Sequence, residues 1–87
     1  MLKISQLGQT DRSVTLRLEG RIVGPWVTEL RQSCEQILQE GQSLRLELAG
    51  VEFMDADAVA LLSSLRLRAV AFIECPLFAM EQLKGKR

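Results

Sequence analysis

Two carboxylates one residue apart, Asp55 and Asp57, come closest in type and spacing to a reactive pair in this chain. They follow a hydrophobic run that reads as a strand and precede a helical pattern, so they sit beyond a strand end, where α/β sheets carry their sites. Carboxylates in that place can hold Mg²⁺ or accept a phosphoryl group. A plainer role is also open to them, because Asp is among the best helix N-caps and a helix N-terminus carries about half a positive charge. The chain has no histidine, which removes the commonest general base, the Ser/His and Cys/His nucleophiles and most zinc sites. Cys34 and Cys75 lie far apart and form no CxxC pair, the pattern of buried, reduced thiols rather than of a disulfide or metal site. Non-catalytic action is therefore expected, with no metal and no cofactor.

The elements that position the two aspartates follow from periodicity. Val14, Leu16 and Leu18 alternate with Thr15, Arg17 and Glu19, and Leu44, Leu46 and Leu48 alternate with Arg45 and Glu47. That period of two predicts strands with one buried face. Leu2 and Ile4 suggest an earlier strand, turned into the next at Gln9, Thr10 and Asp11, which makes the first pair a hairpin. Gly24-Pro25 starts a helix and Gly41 stops it. Between them Trp26, Leu30, Cys34, Ile37 and Leu38 share one face. Ala58, Leu61, Leu62, Leu65 and Ala69 recur at helical spacing and predict a second helix starting near Asp55 or Asp57. Phe72-Ile73 reads as a short buried strand, and Pro76 opens a last helix through Phe78 and Leu83. The order is β-β-α-β-α-β-α, a two-layer α/β fold with a mixed sheet and the helices mainly on one face, because parallel strands need helical crossovers.

Length and charge bound the rest. Eighty-seven residues, 47% of them hydrophobic, predict a single domain over 1–87. Eleven basic and eleven acidic residues cancel and are interleaved, so no broad positive field exists for nucleic acid or anionic lipid. Lys84, Lys86 and Arg87 read as a frayed, solvated tail. No signal segment and no long apolar run is visible, so a cytoplasmic protein without membrane insertion is expected.

Leu44 to Leu62, LRLELAGVEFMDADAVALL, resembles the signature of STAS domains (sulphate transporter and anti-sigma factor antagonist). In that signature a hydrophobic strand leads through a short loop to Asp-Ser-Ser-Gly at a helix start. Leu18-Glu19-Gly20-Arg21-Ile22 is similar to the family's Leu-x-Gly-x-aliphatic segment. With the element order, the resemblance spans most of the chain, although no counterpart is found for a further strand and helix that typical members carry. Asp55 matches the motif's aspartate, Ala56 replaces its first serine, Asp57 its second and Ala58 its glycine; Glu47 stands where the preceding strand often has aspartate. In anti-sigma factor antagonists the second serine is phosphorylated by a kinase that is also the anti-sigma factor, which switches off binding. The resemblance thus implies a docking site without the switch, with Asp57 either a partial mimic of phosphoserine, at one negative charge against nearly two, or the mark of a form that has abandoned switching.

The resemblance also implies the partner classes: an anti-sigma kinase-like protein or, as an alternative, the ATPase of an ABC-type transporter that this chain would regulate as a STAS-like subunit. The expected contact is an exposed patch comprising Val51, Glu52, Phe53, Asp55, Ala56 and Asp57, joined by Ser63, Ser64 and Arg66 on the outer face of the second helix. Ser63 and Ser64 are the remaining candidate phosphosites, and Met80 a candidate adaptable contact. A phosphoacceptor or metal site at Asp55 and Asp57 is a further alternative, though receiver domains add an acidic pair and a lysine that this chain does not supply. Self-association through Thr15, Arg17, Arg45 and Glu47 is a third, but mixed charge there points to solvent and to a monomer or weak dimer.

Overall fold

The computed structural model describes residues 1–85 of the chain. Its order is β1 (Leu2–Gln9), β2 (Ser13–Ile22), α1 (Pro25–Gln39), β3 (Ser43–Met54), α2 (Ala56–Leu67), β4 (Ala71–Ile73) and α3 (Leu77–Gly85). The strands form one mixed sheet in the order β1-β2-β3-β4, with β1 antiparallel to β2 and the other pairs parallel. Alternation decides which face is covered. Val14, Leu16 and Leu18 of β2 and Leu44, Leu46 and Leu48 of β3 are at most 5% exposed and meet the helices. The opposite face keeps its polar residues, and there the Arg17 Nε donates to the Glu47 Oε1 at 2.9 Å across the register pair. Glu47 is thereby engaged on the open face of the sheet.

Helix α1 buries Val27, Leu30 and Cys34, with Trp26, Ile37 and Leu38 packed partly against the same core. It ends as its glycine predicts. Gly41 takes φ 80°, its N–H donates to the Leu38 carbonyl and the Gln42 N–H to the Ile37 carbonyl, which satisfies carbonyls the helix would otherwise leave open. Helix α2 ends with the same motif without a glycine. Ala69 takes φ 67°, donating to the Arg66 carbonyl, while the Val70 N–H donates to the Leu65 carbonyl. This corrects one expectation: Ala58, Leu61, Leu62 and Leu65 are buried, but Ala69 is exposed, because the chain has left the helix before reaching it.

The third strand also runs further than alternation predicts. Between register pairs Arg17↔Glu47 and Glu19↔Gly50, β2 advances two residues and β3 three; between Gly20↔Val51 and Arg21↔Phe53 it is one against two. Each step puts one extra residue in β3, a β-bulge that shifts the inward positions from Leu48 to Val51 and on to Met54. Val51, Glu52 and Phe53 of the expected contact patch therefore belong to the strand. Lys84 lies in α3, whereas Lys86 and Arg87 of the expected frayed tail fall outside the described residues. No helix among the described residues is long and apolar enough to cross a membrane.

Candidate functional site

The parallel strands β2 and β3 end side by side, with Ile22 paired to Met54, and their following loops meet at Asp55. The Asp55 N–H donates to the Ile22 carbonyl at 3.2 Å. Its Oδ1 accepts the Ala58 N–H at 2.8 Å as the N-cap of α2, and its Oδ2 accepts the Gly24 N–H at 3.0 Å. Gly24 presents that N–H from φ 54°, a backbone state that glycine reaches without steric cost. The amide of Gly24, then that of Ala58, holds the Asp55 carboxyl below its ordinary value. Asp55 is thus a clasp between two loops. Both its oxygens already accept backbone N–H groups, and the described residues contain no cluster of three metal-ligating side chains.

Asp57, in the first turn of α2, is exposed, and its carboxylate accepts no hydrogen bond from the described residues. The capping role that sequence leaves open to either aspartate thus falls to Asp55 alone. Ala56 and Glu52 are exposed beside it. Phe53 is 44% exposed at the end of β3, with the Arg21 guanidinium 5.0 Å from its ring centroid, a cation–π contact that holds the ring outward.

Two of the expected contact residues need correction. Val51 is only 3% exposed, because the first bulge turns it into the core. Ser63 is half-buried, and its Oγ is buried with no hydrogen-bond partner among the described residues, so its hydroxyl is withdrawn from the outer face of α2. Ser64 is exposed and its hydroxyl donates to the Leu61 carbonyl at 2.8 Å. Arg66 is exposed in the last turn of α2, nine residues and about 14 Å along the axis from Asp57.

The outer face of α2 carries residues the sequence reading passed over. Asp57, Ala60, Ser64 and Leu67 are all exposed, Leu67 to 90%, and their spacing of three and four puts them on one stripe. The signal was available: Leu67 falls off the core set of Ala58, Leu61, Leu62 and Leu65. On the far side of α2, Arg68 pairs with Glu35 of α1. Cys34 is buried, and burial pushes its thiol up to about 12; burial also raises that of Cys75.

A family model described as "Mlab, STAS domain" matches residues 5–71, and the chain belongs to the STAS domain family. Among solved structures, the unphosphorylated anti-sigma factor antagonist SpoIIAA is similar with a TM-score of 0.73 and 20% identity, over 94% of this chain and 78% of that one. An anti-sigma factor antagonist STAS domain from Rhodobacter sphaeroides is similar at 0.65 and 15% identity, over 97% of this chain and 92% of that one. The fold is that of SpoIIAA. No curated protein matches the chain.

Proposed function

We propose that this chain docks onto a partner protein through the outer face of α2 and the adjoining end of β3, and that no phosphorylation at position 57 switches the contact. The carrying observation is the exposed stripe of Asp57, Ala60, Ser64 and Leu67 along α2, with Phe53 exposed near the end of β3 that leads into it. Small side chains at Ala60 and Ser64 let a partner approach the helix closely, and Phe53 and Leu67 supply apolar area at its two ends. Asp57 contributes a fixed negative charge free of capping duty. Glu52 and Ala56 extend the contact at its β3 end, and Arg66 borders it at the other. The solved relatives named as anti-sigma factor antagonists support an anti-sigma kinase-like partner. The aspartate at 57, which removes the switch, favours a second reading in which the partner is a transporter ATPase held permanently.

The test is affinity capture with wild type beside Asp57→Ser, Asp57→Ala, Leu67→Glu and Arg45→Glu, the last on the open sheet face. A partner lost about tenfold or more with Leu67→Glu, through a buried unpaired charge, and kept with Arg45→Glu supports the docking face. Stronger capture of a kinase-like protein by the serine and alanine forms makes Asp57 a mimic of the phosphorylated state. Equal capture of an ATPase by all three favours the transporter reading. Loss with Arg45→Glu but not Leu67→Glu refutes the assignment.

A further inference from the structure

An open cleft of about 650 Å³ lies between the end of α2, β4 and α3, away from the aspartates. Its apolar lining comes from Val70, Phe72, Met80 and Leu83. Val70 and Leu83 are core residues showing their inner edge, while Met80 is 46% exposed and adaptable. Two cations flank it, Arg66 in the last turn of α2 and Lys84 in the last turn of α3. Neither takes part in an ion pair among the described residues, where the pairs are Arg17–Glu47 and Arg68–Glu35. No acidic side chain lines the cleft; its remaining lining residue is the half-buried Cys75.

We propose that this cleft binds a small anionic amphiphile, a medium- or long-chain carboxylate whose alkyl chain lies on Val70, Phe72, Met80 and Leu83 and whose headgroup sits between Arg66 and Lys84. Three features select that chemistry. The volume falls within the ~300–1,000 Å³ of small-ligand sites. Two cations line the cleft and no acidic side chain does, which favours an anion there. The side chains lining the cleft away from Arg66, Lys84 and Cys75 are all apolar, which favours a ligand with an apolar body behind its head. The cleft shares only Arg66 with the border of the docking face proposed above, and its test reads Cys75 rather than partner capture, so the two assignments are tested separately.

Cys75 supplies the probe. It lines the cleft, whereas Cys34 is fully buried, so alkylation by N-ethylmaleimide reports occupancy at Cys75. The rate is measured in decanoate below its micellar concentration, in decanol, in phosphatidylglycerol vesicles and with an acidic amphipathic peptide. Expected is saturable protection by decanoate, about tenfold weaker by decanol and about tenfold weaker in Arg66→Ala/Lys84→Ala, with methyl resonances of Val70 and Leu83 shifting in the wild type. Equal protection by decanoate and decanol overturns the proposal, as does no protection. Protection by vesicles or peptide without any by monomeric decanoate likewise overturns it, in favour of a membrane or protein surface. Should the double variant fail to fold, the decanoate and decanol comparison on wild type decides alone.

Discussion

Replacing Ser63 by alanine should stabilise the protein. The Ser63 Oγ is buried on the core side of α2 with no partner among the described residues, and a buried hydroxyl left without a hydrogen bond costs about 1–3 kcal/mol. Alanine removes that atom, leaves the Cβ in place, and gains roughly half a kcal/mol of helix propensity. A small cavity at the lost oxygen offsets part of the gain, so the net expectation is about 1–2 kcal/mol. For a domain of this length that raises Tm by about 5–10 °C. Urea and thermal unfolding of wild type, Ser63→Ala and Ser64→Ala check it, with the urea m-value expected to stay constant. Ser64 is the control: its exposed hydroxyl already donates to the Leu61 carbonyl, so its alanine variant should stay within about 0.5 kcal/mol. An unchanged or lower Tm for Ser63→Ala would refute the reasoning, and would mean that the hydroxyl has a buried partner such as an ordered water.

Two further outcomes follow from the backbone and the clasp. Gly20 has φ 103°, and a Cβ there would lie 2.5 Å from the Met1 carbonyl oxygen, which accepts the Arg21 N–H; Gly20→Ala should destabilise by about 2–3 kcal/mol. Gly8→Ala, with nothing within 4 Å of its added Cβ, is the comparison in the same denaturation assay. Asp55→Asn places an amide against the Gly24 and Ala58 N–H groups and removes a carboxyl held below its ordinary value near 3.8. In the unfolded chain that carboxyl binds its proton at higher pH than in the fold, so its contribution is complete above about pH 4 and fades as pH falls through the depressed folded value. The stability gap between wild type and Asp55→Asn should therefore be widest at neutral pH and shrink in acid; a gap constant from pH 7 to pH 2 would contradict the clasp.

Legibility in the sequence tracked how local the deciding interaction was. The strand faces of Val14–Leu18 and Leu44–Leu48 and the stop at Gly41 rest on side-chain period and on one residue's conformational freedom, and all appear in the structure. Ala69 ends α2 by the same hydrogen bonds as Gly41 ends α1, yet an alanine gives no signal of a left-handed backbone. The bulges in β3 are set by pairing with β2, a partner some 30 residues away. A reading of β3 alone continues the period and misplaces Val51.

The candidate site divides along the same line. By itself the sequence determined the element order, the covered face of the sheet, the family resemblance and the presence of aspartates at the start of α2, because each depends on residue types at short spacing. Only the tertiary structure decided which aspartate caps the helix and which faces solvent, since the second oxygen of Asp55 is taken by Gly24, 31 residues away in the chain and neighbouring only once β2 and β3 lie side by side. The burial of the Ser63 hydroxyl and the sharing of one cleft by Arg66 and Lys84 were likewise settled by packing, because a helix acquires an inside only when something is placed against it.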